Sequence, residues 1–275
     1  MPIESIAQYA TSSFTMPDVC LRLRTMLDSG KHHLDDVGGL IAVDANLSAK
    51  VLRLANSALF RFPNQIDSLT KAISVVGGEA LYNIVMAETA SSAFQHFDND
   101  LIDVQRHWHY SVYCGMAAKG FAKQLKKRAP ERFFVMGILQ GLSTLVIAQQ
   151  QPEQFSAYKA QALSGLPWER QQSCFGFTFA QCSGLIMEQW RMPVSLYFPV
   201  QHMHQSHFVE RDTDIAIMTL ADQIALVQSD KAKYQSIALW QNSTQPALGL
   251  TDETIVSVSE HAESDTARVA SILLH

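Results

Sequence analysis

Apolar residues recur at helical spacing along almost the whole of this chain, and no two neighbouring runs alternate as paired strands would. The clearest instance is DANLSAKVLRLANSALF, in which Leu47, Val51, Leu54, Ala55 and Ala58 fall on one stripe of a helix. Upstream, TMPDVCLRLRTML offers Thr15 as an N-cap, Pro17 in the first turn and Val19, Leu23, Met26 and Leu27 as an apolar face. SLTKAISVVGG predicts a helix capped by Ser68 and stopped at Gly77. Longer helices are predicted over 79–97, 101–127 and 131–149, with Pro130 and Pro152 bounding the last. Shorter ones are predicted over 167–175, 178–191, 194–205, 211–229, 251–261 and 264–273. SLYFPV has the composition of a strand, but nothing nearby offers it a partner. The predicted fold class is all-α, with short connections and no internal repeat.

Composition narrows the class of protein. With 275 residues, 47% of them hydrophobic and 17% charged, the chain can bury a sizeable core and is not a disordered segment. A formal net charge of −5 gives no general electrostatic grip on nucleic acid, so no direct nucleic-acid binding is expected. The basic run KQLKKR at 123–128 reads as a helix end, where cations complement the dipole. Cys20, Cys114, Cys174 and Cys182 form no C-x-x-C pair and sit in apolar surroundings, as reduced thiols of a cytosolic protein do. MPIESIAQYA lacks the basic and apolar parts of a signal peptide, and no stretch reaches ~18 uncharged apolar residues. A cytoplasmic protein without a membrane partner is therefore expected.

One stretch breaks its own pattern. GILQGLSTLVI, at 137–147, reads as a continuous apolar helix interrupted by Gln140 and Gly141. A glycine inside a helix costs about 1 kcal/mol relative to alanine, so a specific reason for Gly141 is expected.

Two groups of motifs carry a family resemblance. IAVDANLSAKVLRLANSALF at 41–60 is followed by IDSLTKAISVVG at 66–77, and WRMP at 190–193 is followed by HMH at 202–204. In that order and spacing the chain resembles an HDOD domain, a bacterial signalling module related to HD-domain phosphohydrolases, over roughly residues 15–210. The resemblance implies a multi-helix bundle of the HD/HDOD type, with residues 1–210 forming the HDOD-like domain. Residues 211–275 are expected to add C-terminal helices packed on the same bundle. Members of the family are generally regarded as lacking the catalytic residues of their HD relatives, and often adjoin receiver or cyclic-di-nucleotide enzyme domains. The length of this sequence leaves no room for such a neighbour, so signalling proteins bound in trans are the expected partners, with a homodimer left open.

The resemblance also implies where a metal site would stand. HD enzymes hold divalent metal with a His, a later His-Asp doublet and a final Asp. HWHYS aligns His109 with the first His, GILQGLSTLVI puts Gln140 and Gly141 at the doublet, and LADQIA puts Asp222 near the final Asp. A further family His corresponds to Phe179, in GFTF. Zinc takes about four ligands and the harder metals about six, from imidazole, carboxylate and water. Gln140 is a neutral amide and Gly141 has no side chain, so too little negative charge remains to hold a hydrolytic metal or activate water. No catalytic residue, metal or cofactor is expected. The plainer reading of His109 and Asp222 is as ordinary hydrogen-bonding residues.

Other polar residues invite attention. His202, His204 and His207 are close enough in sequence to bind an adventitious metal, although no Cys or carboxylate accompanies them at a known spacing. Asp44, Arg53, Asn56 and Ser57 form a polar strip beside the apolar stripe of their helix, a candidate surface for a partner or ligand. The plainer alternative is that Asn56 and Ser57 tie the helix to the following loop, RFPNQ. Three readings stay open: a non-catalytic regulatory module acting through protein contacts, a metal-dependent phosphohydrolase, and a nucleotide sensor with Arg53 or Arg106 as a phosphate contact.

Overall fold

The structure is a computed structural model that describes residues 1–29, 34–62, 65–161, 165–234, 239–241 and 243–274. Among these residues every regular element is a helix. The N-terminal part comprises α1 (Ile3–Ser13), α2 (Asp18–Ser29), α3 (Leu34–Ala42), α4 (Ala45–Ala55), α5 (Leu69–Val76) and α6 (Gly78–His96). The centre comprises α7 (Val104–Gln124), α8 (Glu131–Leu139), α9 (Leu142–Gln150), α10 (Pro152–Ala160), α11 (Pro167–Phe175) and α12 (Phe179–Gln189). The chain continues through α13 (Val194–His202), α14 (Ser206–Val209), α15 (Thr213–Ser229), α16 (Lys231–Tyr234), α17 (Thr244–Leu248) and α18 (Asp252–Leu274).

The axis of the bundle is α7. Trp108, Val112, Ala117, Ala118, Phe121 and Ala122 on it are wholly buried, and each large apolar side chain removed from water contributes about 1.5–3 kcal/mol. Two glycines bring α8 against it: a Cβ on Gly137 would lie 2.3 Å from Gly115 Cα, so the two backbones touch. On another face Gly120 admits α18, since a Cβ there would meet Val258 Cγ1 at 2.6 Å. The Trp108 indole N–H donates to the Ala270 carbonyl at 3.2 Å, and Ser91 Oγ donates to the Leu273 carbonyl at 2.7 Å. Helices α15 and α18 both pack on α7, and their apolar residues belong to the same continuous core as α1 to α13. The basic run after α7 is used here as well, with Lys127 pairing with Asp214 of α15 at 2.8 Å.

Several local expectations hold in detail. Asp44 caps α4 by accepting from Asn46 N and Leu47 N at 2.9 and 3.0 Å. Ser68 caps α5, which ends at Gly77 with φ 83. The stripe Leu47, Val51, Leu54 and Ala55 is buried.

Other boundaries differ. Helix α2 begins at Asp18, so Thr15 and Pro17 precede it rather than open it. Helices α1, α3, α10, α14, α16 and α17 fall outside the ranges predicted from the sequence. The two helices predicted over 251–261 and 264–273 are one, α18; no Gly or Pro interrupts it, and Thr266 Oγ1 donates to the Ala262 carbonyl at 2.6 Å across the expected gap. The single helix predicted over 131–149 is two. Three of the four free thiols are buried, whereas Cys174 is partly exposed. Among the described residues only 131–150 has the length and composition of a membrane span; it is mostly buried in the core and is divided at Gln140 and Gly141.

Candidate functional site

The division between α8 and α9 opens a small hollow of about 180 Å³. Gln140 and Gly141 keep right-handed helical dihedrals, but the ladder tightens there: Gly141 N–H donates to Ile138 O at 3.3 Å, and Thr144 N–H to Gly141 O at 3.2 Å. Ser183 of α12 stitches the gap, donating from Oγ to Gln140 O at 2.8 Å and accepting from Ser143 N at 3.1 Å. Gly141 has φ −83, so backbone freedom does not explain it. Close approach does. A Cβ at this position would lie 2.5 Å from Ser111 Oγ and 3.1 Å from His107 Nε2.

His107, Tyr110 and Ser111 share one face of α7, three and four residues apart, and point at this hollow. His107 donates from Nε2 to the Gly141 carbonyl at 2.8 Å and stacks on Phe94 at 5.6 Å. Burial holds its imidazole below the ordinary histidine range, partly opposed by that carbonyl, so the ring is neutral with its proton on Nε2. Asp222, from α15, is 5% exposed. It accepts from Tyr110 Oη at 2.7 Å and from His204 Nε2 at 3.0 Å. Burial drives the Tyr110 hydroxyl well above its usual value, and the Asp222 carboxylate adds to the effect, so Tyr110 remains a donor. The His204 ring stacks on the Trp168 indole, with centroids 4.6 Å apart and planes 15° apart. His204 Nδ1 and Gln140 Nε2 are buried here without a partner among the described residues.

The structure thus brings together Gln140, Gly141, Phe179 and Asp222, as the motif alignment implied. It does not bring His109 to them. His109 is exposed on α7 and lines a separate groove of about 680 Å³, and the histidine facing Gly141 is His107. The assignment of the first His is corrected accordingly: two positions along a helix rotate the side chain to another face. Phe179 fills its place with a ring packed against Phe155, Tyr158 and Phe175.

These residues do not fit a hydrolytic metal. The nitrogen that His107 turns toward the doublet position carries a proton and is engaged by a carbonyl, Gln140 offers a neutral amide, and Gly141 offers nothing. Only Asp222 and His204 remain, already bonded to each other. Among the described residues no three His, Cys, Asp or Glu side chains are grouped to hold a metal ion. His202, His204 and His207 diverge: His202 lies between Phe198 and Phe208, His207 packs on Phe208, and His204 turns inward to Asp222.

The polar strip on α4 resolves into separate roles. Asn56 clamps the following loop, donating from Nδ2 to Ile66 O at 2.7 Å and accepting from Ile66 N at 2.8 Å. Ser57 Oγ donates to Leu54 O at 2.7 Å and accepts from Leu59 N at 3.1 Å. Residues 63 and 64 of the RFPNQ loop lie outside the described residues. Asp44 is the α4 cap described above. Arg53 alone is exposed without a hydrogen bond or ion pair among the described residues, on a groove it shares with Asn56, Phe62 and Asp67. Arg106 stands elsewhere, at the groove beside His109, where it donates to Ser229 O at 3.1 Å.

Sequence reasoning missed His107, Tyr110, Trp168 and the pairing of His204 with Asp222. The i, i+3 spacing of His107 and Tyr110 was a usable signal, but two histidines compete for it and only the packing of α7 chooses.

Comparison with known proteins follows the same outline. A family model for the HDOD domain matches residues 14–206. A protein of Treponema pallidum (strain Nichols), itself uncharacterised, is 22% identical over 220 residues, which cover 79% of this chain and 42% of that protein. The chain thus spans less than half the length of this curated relative. Among solved structures, a Shewanella amazonensis SB2B protein provisionally described as a phosphohydrolase superposes with a TM-score of 0.74 at 20% identity, covering 98% of both chains. A Marinobacter aquaeolei VT8 protein provisionally described as acting in signal transduction gives 0.71 at 18% identity, covering 99% of this chain and 66% of the other. At these identities the likeness is one of fold.

Proposed function

The chain belongs to the HDOD domain family, and from that membership we propose that it is a regulatory module that acts by binding other signalling proteins and hydrolyses no phosphoester. The observation that carries this reading is the contact between His107 Nε2 and the Gly141 carbonyl. The His107 N–H is directed at a backbone carbonyl and Gly141 carries no carboxylate, so neither residue offers a ligand to an ion. Without a bound metal no water is activated at neutral pH, and no nucleophile elbow or phosphate-binding glycine loop is present in the sequence as a substitute. The partner is a signalling protein met in trans in the cytoplasm, and Arg53, exposed and uncommitted beside a groove, is a natural contact for it.

The competing reading is a metal-dependent phosphohydrolase, which the description of the Shewanella structure favours. The two separate cleanly in assay. Purified protein cleared of tag-derived nickel should carry well under one equivalent of Zn, Mn or Fe. With Mn²⁺ supplied it should turn over neither p-nitrophenyl phosphate esters, cyclic di-nucleotides nor (p)ppGpp. A robust rate abolished by His107→Ala or Asp222→Ala would hand the case to the hydrolase. One specific protein partner, lost in Arg53→Ala while the fold persists, would support the regulatory reading.

A further inference from the structure

A second cavity, remote from the hollow at Gly141 and independent of the function proposed above, lies where the turn after α4 meets α7 and α18. Its volume of about 240 Å³ is below the ~300–1,000 Å³ of sites that take drug-sized ligands, so its occupant is small. Lys119 of α7 lines this cavity and is only 3% exposed. Among the described residues its ammonium makes no hydrogen bond and no ion pair, and it stands over the Phe60 ring, whose centroid lies 5.2 Å away. The stem of Lys119 is buried while its ammonium opens on the cavity, where no counter-charge is bonded to it.

The surroundings increase the demand for negative charge. Lys123, one turn further along α7, and Arg61 stand at the rim, and His261 of α18 completes it, its Nδ1 donating to Ser257 O at 2.6 Å. Against these cations the cavity wall holds one carboxylate, Asp265, which is already engaged by Arg61 and, at 3.5 Å, by Arg268. Glu131, at the start of α8, acts only at longer range. Arg61 is also held at φ 52, a left-handed conformation that a long side chain seldom adopts, so its position over Asp265 is imposed by the fold.

We propose that this cavity binds a small tetrahedral oxyanion, a phosphate or phosphomonoester group, which pairs with Lys119 Nζ and is flanked by Lys123 and Arg61. Donors converge on the cavity from three elements, as a ligand with several charged oxygens requires. Burial and the Lys123 and Arg61 charges push the Lys119 amine down to about 7, with Glu131 and Asp265 opposing. Oxyanion binding therefore draws a proton onto Lys119, and affinity falls as pH rises above that value.

The test is calorimetric titration of the full chain with inorganic phosphate and with sulfate, whose charge does not change across the range. Saturable binding at one site is expected, with proton uptake visible as a difference between buffers of unlike ionisation enthalpy. Sulfate affinity should weaken by up to tenfold per pH unit above about pH 8. Lys119→Met, which keeps the length of the stem and the packing, should weaken binding at least tenfold; Lys123→Ala should weaken it several-fold. His261→Gln removes the imidazole of the rim and should leave the proton uptake in place, a result that stands even if Lys119→Met fails to fold. Absence of saturable binding, equal binding by Lys119→Met, or uptake that disappears with His261 would each overturn the proposal.

Discussion

His107 donates from Nε2 to the carbonyl of Gly141 across 2.8 Å, and any side chain at 141 would have to occupy the same space. Gly141→Ala should therefore destabilise the protein by about 1–3 kcal/mol, despite the better helix propensity of alanine, because the new Cβ meets Ser111 Oγ. Urea denaturation would measure it. Ser111→Ala removes the atom in the way, so the double variant should lose less than the sum of the two single ones.

The same ring makes stability depend on pH. Burial lowers the His107 pKa in the folded state, so below its unfolded value of about 6.5 the unfolded chain binds more protons than the folded one. Stability is then lost as pH falls through 6.5 toward the folded-state pKa, with a slope of up to about 1.4 kcal/mol per pH unit from this group. Denaturation midpoints between pH 5 and 8 should show the slope, and His107→Gln should flatten it. An unchanged slope in that variant would place its origin elsewhere.

Asp222 is the hub of the hollow, accepting from Tyr110 and His204 at once. Asp222→Ala strands both donors in a buried place and should cost about 3 kcal/mol. Asp222→Asn keeps one acceptor oxygen and should cost less. Equal losses in the two variants would show that the carboxylate charge, not the acceptor geometry, holds this corner together.

Arg53, in the last turn of α4, and Asn56, which caps its C-terminal end, lie three apart but should behave differently. Asn56→Ala breaks two hydrogen bonds to Ile66 and should lower stability by about 1–3 kcal/mol. Arg53→Ala removes an exposed side chain with no bond and should change stability by less than about 0.5 kcal/mol. Thermal unfolding distinguishes them, and Arg53 is accordingly the cleaner probe of partner binding.

The residues that make the helices are local, and so most of the fold was legible in the sequence. The stripe from Leu47 to Ala55, the Asp44 and Ser68 caps and the Gly77 stop each act within a few residues of themselves. The interruption of the apolar run at Gln140 and Gly141 was legible for the same reason, since it is a matter of residue type alone. What tertiary structure decided is which side chains meet. His107 rather than His109 faces Gly141 because α7 is rotated by its contacts with α8 and α18 through Gly115 and Gly120, a rotation that no window of sequence contains. The break at Gln140 was settled in the same way, by Ser183 reaching in from α12, whereas the continuity of α18 is local, since no Gly or Pro interrupts it. The pairing of His204 with Asp222, and the burial of Lys119 beneath the turn at Arg61, likewise join residues from separate helices. Periodicity fixes which face of a helix is apolar, but it leaves open which helix that face meets, and the chemistry of this protein lies in those meetings.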